Sequence, residues 1–251
     1  MTQADRPEPI ERLLSKWRVA SRTEAQRLVR AGRVKVGGMV LHDPRAVVDA
    51  RRTPIEVDGV RVGPPAGGDV WLAMNKPRGV VTTTKDPEGR RTVMDLVGPL
   101  AAPGLAPVGR LDLESAGLLL LSNDSALADR LLDPKTHVPK RYRVKVKGHF
   151  AADELQRLRT ETLVEDGLTL GPMGVELESE GPRSTWLVVT LDEGKNRQIR
   201  RRMKDAGHAV EILVRTAIGP LELGDLAPGA ARALTAAEVL ALRSAATPRT
   251  R

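Results

Sequence analysis

The chain of 251 residues contains no cysteine. Disulfides, thiol nucleophiles and cysteine-held zinc or iron–sulfur sites are therefore excluded, and the composition suits a reducing, cytoplasmic compartment. Only four histidines are present, so a histidine-rich metal site is not expected. Aromatic residues make up 2% of the chain, with one Tyr and one Phe. The core must therefore come from Leu, Val, Ile and Ala. No apolar run approaches the length a membrane span needs; the longest clean one is Leu118–Leu121. The N-terminal segment MTQADRPEPIERLL lacks the basic-then-apolar order of a signal peptide. A soluble intracellular protein is expected. Three signatures are also missing: a Walker loop, a dinucleotide-binding glycine fingerprint after a strand, and a Gly-x-Ser-x-Gly elbow. Nucleotide hydrolysis, hydride transfer and serine-esterase chemistry lose support accordingly.

Positive charge is what the chain has in excess. Net charge is +8, a balance that points to a polyanion, most often nucleic acid. The bland reading is an arginine-rich genome, which would scatter the cations rather than gather them. In KNRQIRRRMK, Lys195–Lys204, six of ten residues are cationic and none is acidic. Such a run repels itself unless an anion lies near, and a solvated helix face usually brings interspersed acids. Phosphate contact is favoured here.

At 41% hydrophobic the chain can bury a core. Ile10, Leu13, Leu14 and Trp17 fall at helical spacing. Ser21-Arg22-Thr23-Glu24 has the form of a capping box before a second helix, with Ala25, Leu28 and Val29 as its buried stripe and Gly32 as its stop. RVKVGGMVL reads as a hairpin about Gly37-Gly38. Cations Arg22, Arg27, Arg30, Arg33 and Lys35 line this module; a solvated face and a binding face fit them equally well. The Gly- and Pro-rich stretch near residues 57 to 70 is the best linker. Mixed α and β patterning follows. VWLAMNKP, Leu118–Leu121, KRYRVKVKG and TWLVVTL read as strands. Helices are expected after Asp124, with Leu127, Leu131 and Leu132 inward, over NRQIRRRMKDAGH, and over LTAAEVLALRSAA.

Two residues draw attention by chemistry. Asp112 follows Arg110 at the mouth of the apolar run in PVGRLDLESAGLLLLSND. It could pair Arg110 structurally, join Glu114 at a metal, or act as a catalytic carboxylate. The metal reading is weak, because no His or Asn cluster accompanies the two carboxylates. Tyr142, the sole tyrosine, could fill the core or offer a ring for base stacking between arginines.

Four separated motifs in fixed order then carry a resemblance. GRLDLESAGLLLLSND, KRYRVKV, EGKNRQIRR and LVRTAIGPLELGDLAPGAARALTAAEV resemble bacterial ribosomal RNA pseudouridine synthases of the Rsu type. NKPRGVVTTTKDPEGRRTVMDLV, residues 75–97, resembles the start of the same catalytic domain. RLLSKWRVASRTEAQRLVRAGRVKVGGMVL resembles the small RNA-binding domain named after ribosomal protein S-four.

The resemblance implies an α+β fold. A small N-terminal α/β RNA-binding domain would occupy residues 8–58 and a linker 59–69. A mixed, mainly antiparallel β-sheet catalytic domain with flanking helices and a central cleft would follow over 70–243, then a basic, disordered tail over 244–251. It also implies roles. Asp112 matches the catalytic aspartate, Arg200 the basic residue that pairs with it, and Tyr142 the ring that packs on the target uracil. Arg110 matches the arginine entering the RNA stack where the base has left, and Leu213 the apolar wall of the uracil pocket. Asn196, Arg197, Gln198 and Lys140 are expected on the substrate, and Ser21, Arg22, Arg27, Arg30, Arg33 and Lys35 on RNA in the N-terminal domain.

Position 202 is Arg where the family usually carries an apolar residue, so that helix is expected to sit differently or to touch RNA. The expected activity is isomerisation of a ribosomal RNA uridine, in free RNA or an assembling subunit, by a monomer without cofactor or metal. The rivals are a non-catalytic RNA-binding assembly factor and a DNA-binding protein.

Overall fold

The computed structural model describes residues 7–64 and 67–247. The chain forms two compact units. One ends at Asp69 and takes in Asn123–Ser125; the other comprises Val70–Ser122 and the chain from Ala126 onward. No helix among the described residues is long and apolar enough to cross a membrane.

In the smaller unit, helices α1 (Ile10–Lys16) and α2 (Arg22–Arg30) pack on a four-stranded antiparallel sheet. Its strands are β1 (Val34–Val36), β2 (Met39–Leu41), β3 (Ile55–Val57) and β4 (Val60–Val62), in spatial order β2-β1-β3-β4. The predicted stripe is buried: Ile10, Leu14, Ala25 and Val29 are fully enclosed with Val34 and Ile55. Gly37 and Gly38 both take positive φ, the demand of a two-residue turn whose twist matches its strands. Ser21 caps α2 by accepting from the Glu24 amide at 3.2 Å. Glu24 does not complete the expected box; its carboxylate lies 3.6 Å from Arg27 instead. Strand β4 lies inside the stretch expected to be linker, and pairs with β3 through Val57↔Val60. Residues 65–66 of that expected linker lie outside the described residues.

The larger unit is built on one mixed sheet. Its main strands are β5 (Trp71–Lys76), β6 (Ala116–Ser122), β7 (Lys140–Lys147), β8 (Gly174–Gly181), β9 (Ser184–Leu191), β10 (Val210–Ile218) and β11 (Ala231–Ala233). Spatial order is β8-β9-β7-β10-β6-β5-β11, antiparallel except where β10 runs parallel to β6. Four helices accompany the sheet: α3 (Ser125–Leu132), α4 (Ala152–Thr160), α5 (Gln198–Asp205) and α6 (Ala236–Ala245). The chain is thus α+β with a mainly antiparallel sheet.

Hydrophobic patterning explains the layers. β5 and β6 are buried on both faces, which is why they read as continuous apolar runs. Leu118 and Leu120 face Leu127, Leu131 and Leu242 of α3 and α6. Leu119 and Leu121 face Val80, Val93, Leu105 and Leu111. β7 instead alternates, with Val144 and Val146 packed against Leu155 and Leu158 of α4 and Ile199 and Met203 of α5. Truncating a core leucine here would cost about 2–5 kcal/mol. Leu132, expected inward on α3, is 47% exposed, and α3 buries only Leu127 and Leu131. α6 runs to Ala245, so the tail expected from residue 244 begins inside a helix, and residues 248–251 lie outside the described residues.

Where β10 meets β6 the backbones nearly touch. A Cβ on Gly117 would stand 2.3 Å from the Arg215 carbonyl oxygen, and Gly117 has φ +103°. Only glycine fits that crossing. It brings the loop preceding β6, which carries Arg110 and Asp112, beside the strands that carry Tyr142, Leu213 and Arg215.

Candidate active site

A cavity of about 620 Å³ opens in the larger unit where its two halves meet. The loop Gly109–Asp112 and Ser115 form one wall. Lys140, Tyr142, Leu191, Leu213 and Arg215 form a floor from β7, β9 and β10, and the segment Glu193–Arg200 closes the other side. Tyr142 packs against the cores on both sides. Every residue predicted for catalysis or substrate binding in this unit therefore lines one cavity: Asp112, Arg200, Tyr142, Arg110, Leu213, Asn196, Arg197, Gln198 and Lys140. The six predicted residues of the N-terminal module belong to the other unit.

Four contacts from distant segments hold the Asp112 loop, all on its backbone. Lys76, at the end of β5, is fully buried and donates to the carbonyls of Pro77 at 3.0 Å, Asp112 at 3.2 Å and Ser115 at 2.8 Å. Burial holds the Lys76 pKa down at about 8, against the opposite pull of Asp112 and Glu114. Thr82 Oγ1 donates to the Leu111 carbonyl at 2.7 Å and accepts from the Leu111 amide at 3.3 Å. The Gly79 amide donates to the Leu113 carbonyl at 2.9 Å. Arg200 Nη2 donates to the Glu114 carbonyl at 3.1 Å. The carboxylate of Asp112 is thereby presented half-buried in the cavity without being tied down itself.

Arg200 differs from expectation in detail. It makes no ion pair with Asp112 among the described residues; its guanidinium bonds the carbonyls of Glu114 and Val210. Burial and the neighbouring Arg197 push its pKa down, while Asp112 pulls it up. The two therefore interact through the field, not through a hydrogen bond. Arg110 makes no pair with Asp112 either: it is exposed and free among the described residues. That sets aside the structural Arg110–Asp112 pair. Glu114, the other half of the metal reading, is committed to Arg78.

The cationic run also reads differently in three dimensions. Acids absent from its own sequence arrive from elsewhere. Arg201 pairs with Glu165 and Asp166 at 2.8 and 2.9 Å, and Lys195 with Glu193 at 2.7 Å. Arg202, predicted to shift the helix or touch RNA, is 3% exposed and donates Nη2 to the carbonyls of Arg157 and Leu158 at the end of α4. Gln198 is buried and turned toward Glu193 at 2.8 Å. Asn196, Arg197 and Lys204 remain exposed. On β7, Arg141 and Arg143 do not flank the tyrosine ring. They lie on the opposite face, bound to Glu222 and Glu178, with Arg143 also 4.3 Å above the Trp186 ring.

In the smaller unit, Arg33 is held by Asp58 through two hydrogen bonds of 2.7 and 2.6 Å, and the Ser21 hydroxyl is spent as a helix cap. Arg22, Arg30 and Lys35 stay exposed and unpaired among the described residues.

Reasoning from the sequence missed Lys76, Thr82 and Arg215. Lys76 and Arg215 each carried one signal, a charged residue following a strongly apolar stretch, Trp71–Met74 in one case and Ile212–Val214 in the other. Buried charge of this kind requires partners and therefore a job.

A family model described as RNA pseudouridylate synthase matches residues 70–205, and the S4 domain model matches residues 8–50. The chain is 38% identical over 234 residues to an uncharacterised RNA pseudouridine synthase of Mycobacterium tuberculosis (strain ATCC 25618 / H37Rv), covering 92% of this chain and 91% of that one. It is 35% identical over 240 residues to ribosomal large subunit pseudouridine synthase B of Bacillus subtilis (strain 168), covering 95% and 97%. A crystal structure described as that of a pseudouridylate synthase shares the fold, with a TM-score of 0.67 and 23% identity over 94% of this chain and 99% of that chain. A family match over more than half the chain, and relatives aligned along nearly its whole length, make this protein a member of the RNA pseudouridylate synthase family of enzymes, with an S4 domain in its N-terminal part.

Proposed function

We propose that this enzyme isomerises a uridine of ribosomal RNA to pseudouridine, with Asp112 as the catalytic carboxylate. The observation that carries the reading is the cavity: a single unbonded carboxylate, on a loop clamped through its backbone, faces a floor of Tyr142 and Leu213. A flat aromatic and a branched aliphatic wall suit a pyrimidine ring. The name of the Bacillus subtilis relative favours large-subunit RNA as the substrate class.

The reaction moves one bond. The link from ribose C1′ to uracil N1 breaks, the ring turns, and C5 bonds to C1′. A proton leaves C5 and one arrives at N1, so the change is redox-neutral and needs no co-substrate. The target base must leave its helix, at a cost of a few kcal/mol. Arg110, exposed and unpaired, supplies a planar cation to fill the gap. Tyr142 holds the extruded ring, worth about 1–3 kcal/mol by the usual stacking estimate. Asp112 acts on the sugar, with the Arg200 guanidinium close enough to interact with it electrostatically. Enclosure keeps the freed base from escaping before it rebonds. Arg22, Arg30 and Lys35 of the S4 domain add phosphate contacts.

The test is conversion of in-vitro-transcribed large-subunit ribosomal RNA by the purified chain. Asp112→Asn should abolish pseudouridine formation and leave RNA affinity within about twofold, because one half-buried charge is a small part of a phosphate-dominated interface. Turnover by Asp112→Asn would remove Asp112 from its role. Tight binding without product by the wild-type chain would favour the assembly-factor reading.

A further inference from the structure

Lys140 and Arg215 lie on the cavity floor on either side of Tyr142. Lys140 is two residues before it on the same face of β7, and Arg215 is its cross-strand partner on β10. Neither forms an ion pair among the described residues. Arg215 is 6% exposed; Nε donates to the Leu118 carbonyl at 2.7 Å, and Nη2 is sealed from solvent with no partner. Lys140 is half-buried and its ammonium makes no hydrogen bond among the described residues. Burial, then the nearby charge of Arg215, lowers its pKa. Asp192 offsets the Lys140 charge only in part, and two like charges sunk side by side are unfavourable without a ligand. They become favourable when the bound ligand brings negative charge to that spot.

Which charge reaches the floor follows from what surrounds it. The exposed cations Lys195 and Arg197 line the cavity where an approaching phosphate would meet them first. The floor pair instead lies beside Tyr142 and Leu213, the side chains that contact a ring. If the base occupies this cavity, its oxygens, not the backbone phosphates, meet Lys140 and Arg215. When the C1′–N1 bond breaks, its electron pair leaves with uracil and spreads over N1, O2 and O4. The charge disappears when C5 bonds to C1′, the C5 proton departs and N1 takes one up. We propose that Lys140 and Arg215 form a cationic floor that stabilises the detached uracil anion. This rests on the uridine-isomerising reading above and adds two residues that act on the leaving group rather than on the sugar. Fixed charges aimed at developing charge in a site shielded from water cost no reorganisation during the reaction.

The test is single-turnover conversion of large-subunit ribosomal RNA with enzyme in excess, alongside RNA affinity. Lys140→Met keeps the length and apolar stem. It should slow the bound-state conversion roughly 100-fold, the usual loss for one such donor, with affinity within about twofold. Lys140→Arg should recover most of the rate, which a merely structural role would not predict. Should Lys140→Met melt early, Arg215→Lys, which keeps the charge and moves it, provides the second probe and should also slow conversion at unchanged affinity. Conversion by both variants at the wild-type rate, or a loss of affinity with the bound-state rate intact, overturns the proposal, the latter by assigning the pair to phosphate. Failure of the wild-type enzyme to form pseudouridine overturns the parent reading instead.

Discussion

Replacing Lys76 with methionine and unfolding both proteins in urea from about pH 6 to about pH 10 probes the post on which the Asp112 loop rests. Lys76 is fully enclosed and held at a pKa of about 8, against 10.5 for a free lysine. That displacement corresponds to about 3 kcal/mol at 1.36 kcal/mol per pH unit. Its sign is fixed by proton counting. Between about pH 8 and pH 10.5 the unfolded chain keeps a proton that the folded chain has released, so the unfolded state binds more protons and stability rises with pH. Below about pH 8 both states carry the charge and the whole burial penalty is present; above about pH 10.5 neither does and it is gone. Lys76→Met removes the titration and keeps the volume. The stability of wild type minus that of the variant should stay level below about pH 8, then climb by roughly 2 kcal/mol by pH 10.

Subtraction cancels the other lysines and the tyrosine. Fluorescence of Trp71 and Trp186, in a Trp17→Phe background, confines the readout to the larger unit. The offset at neutral pH is a separate quantity. The variant leaves the Pro77 and Ser115 carbonyls without their donor, at about 1–3 kcal/mol each, while the Asp112 carbonyl keeps the Ser115 amide; it is also relieved of the buried charge, so the two effects oppose. A difference that stays flat within about 0.5 kcal/mol from pH 7 to pH 10 would show Lys76 to be solvated with an ordinary pKa, and the clamp argument would fall.

Two further changes separate holding the loop from holding the fold. Thr82→Val keeps the shape and removes the hydroxyl that bonds both sides of the Leu111 peptide. We expect conversion to fall about tenfold, equivalent to one hydrogen bond of about 1.4 kcal/mol, with RNA affinity unchanged and Thr82→Ser restoring the rate; a rate equal to wild type would show the loop to be held without it. Arg202→Met removes one donor from each of the Arg157 and Leu158 carbonyls, which keep the Glu161 and Met173 amides, and should lower stability by about 1 kcal/mol without altering the salt dependence of RNA binding. A shallower salt slope would instead place Arg202 on the RNA.

How much of this was legible in the sequence depends on the range of the interaction. Periodicity and caps are local, so α1, α2, β6, β7 and β9 were readable from spacing alone, as was the glycine turn of the hairpin. The Asp112, Tyr142 and Arg200 set was readable by resemblance, because motif order survives in one dimension. Partner choice was not. The run Lys195–Lys204 carries no acid of its own, and that was read as a demand for a polyanion; Glu165 and Asp166 answer it for Arg201 from another segment, and Glu193, two residues before the run, answers it for Lys195. Arg202 was read as an outward cation because helix spacing cannot show that the end of α4 offers it two carbonyls.

The same limit explains Lys76, Thr82 and Arg215. Each bonds backbone carbonyls, and a carbonyl has no letter in the sequence. Any residue can sit at Leu111 or Leu118 and still offer that oxygen, so neither pairing leaves a pattern to find. What does leave a mark is cost: a lysine within the apolar strand Trp71–Lys76 and an arginine between Val214 and Ala217 are expensive where they stand. In a chain whose buried apolar positions are almost all Leu, Val, Ile and Ala, a buried charge in a strand signals that the fold supplies acceptors there. Here those acceptors are the backbone of the loop carrying Asp112 and the strand it leads into.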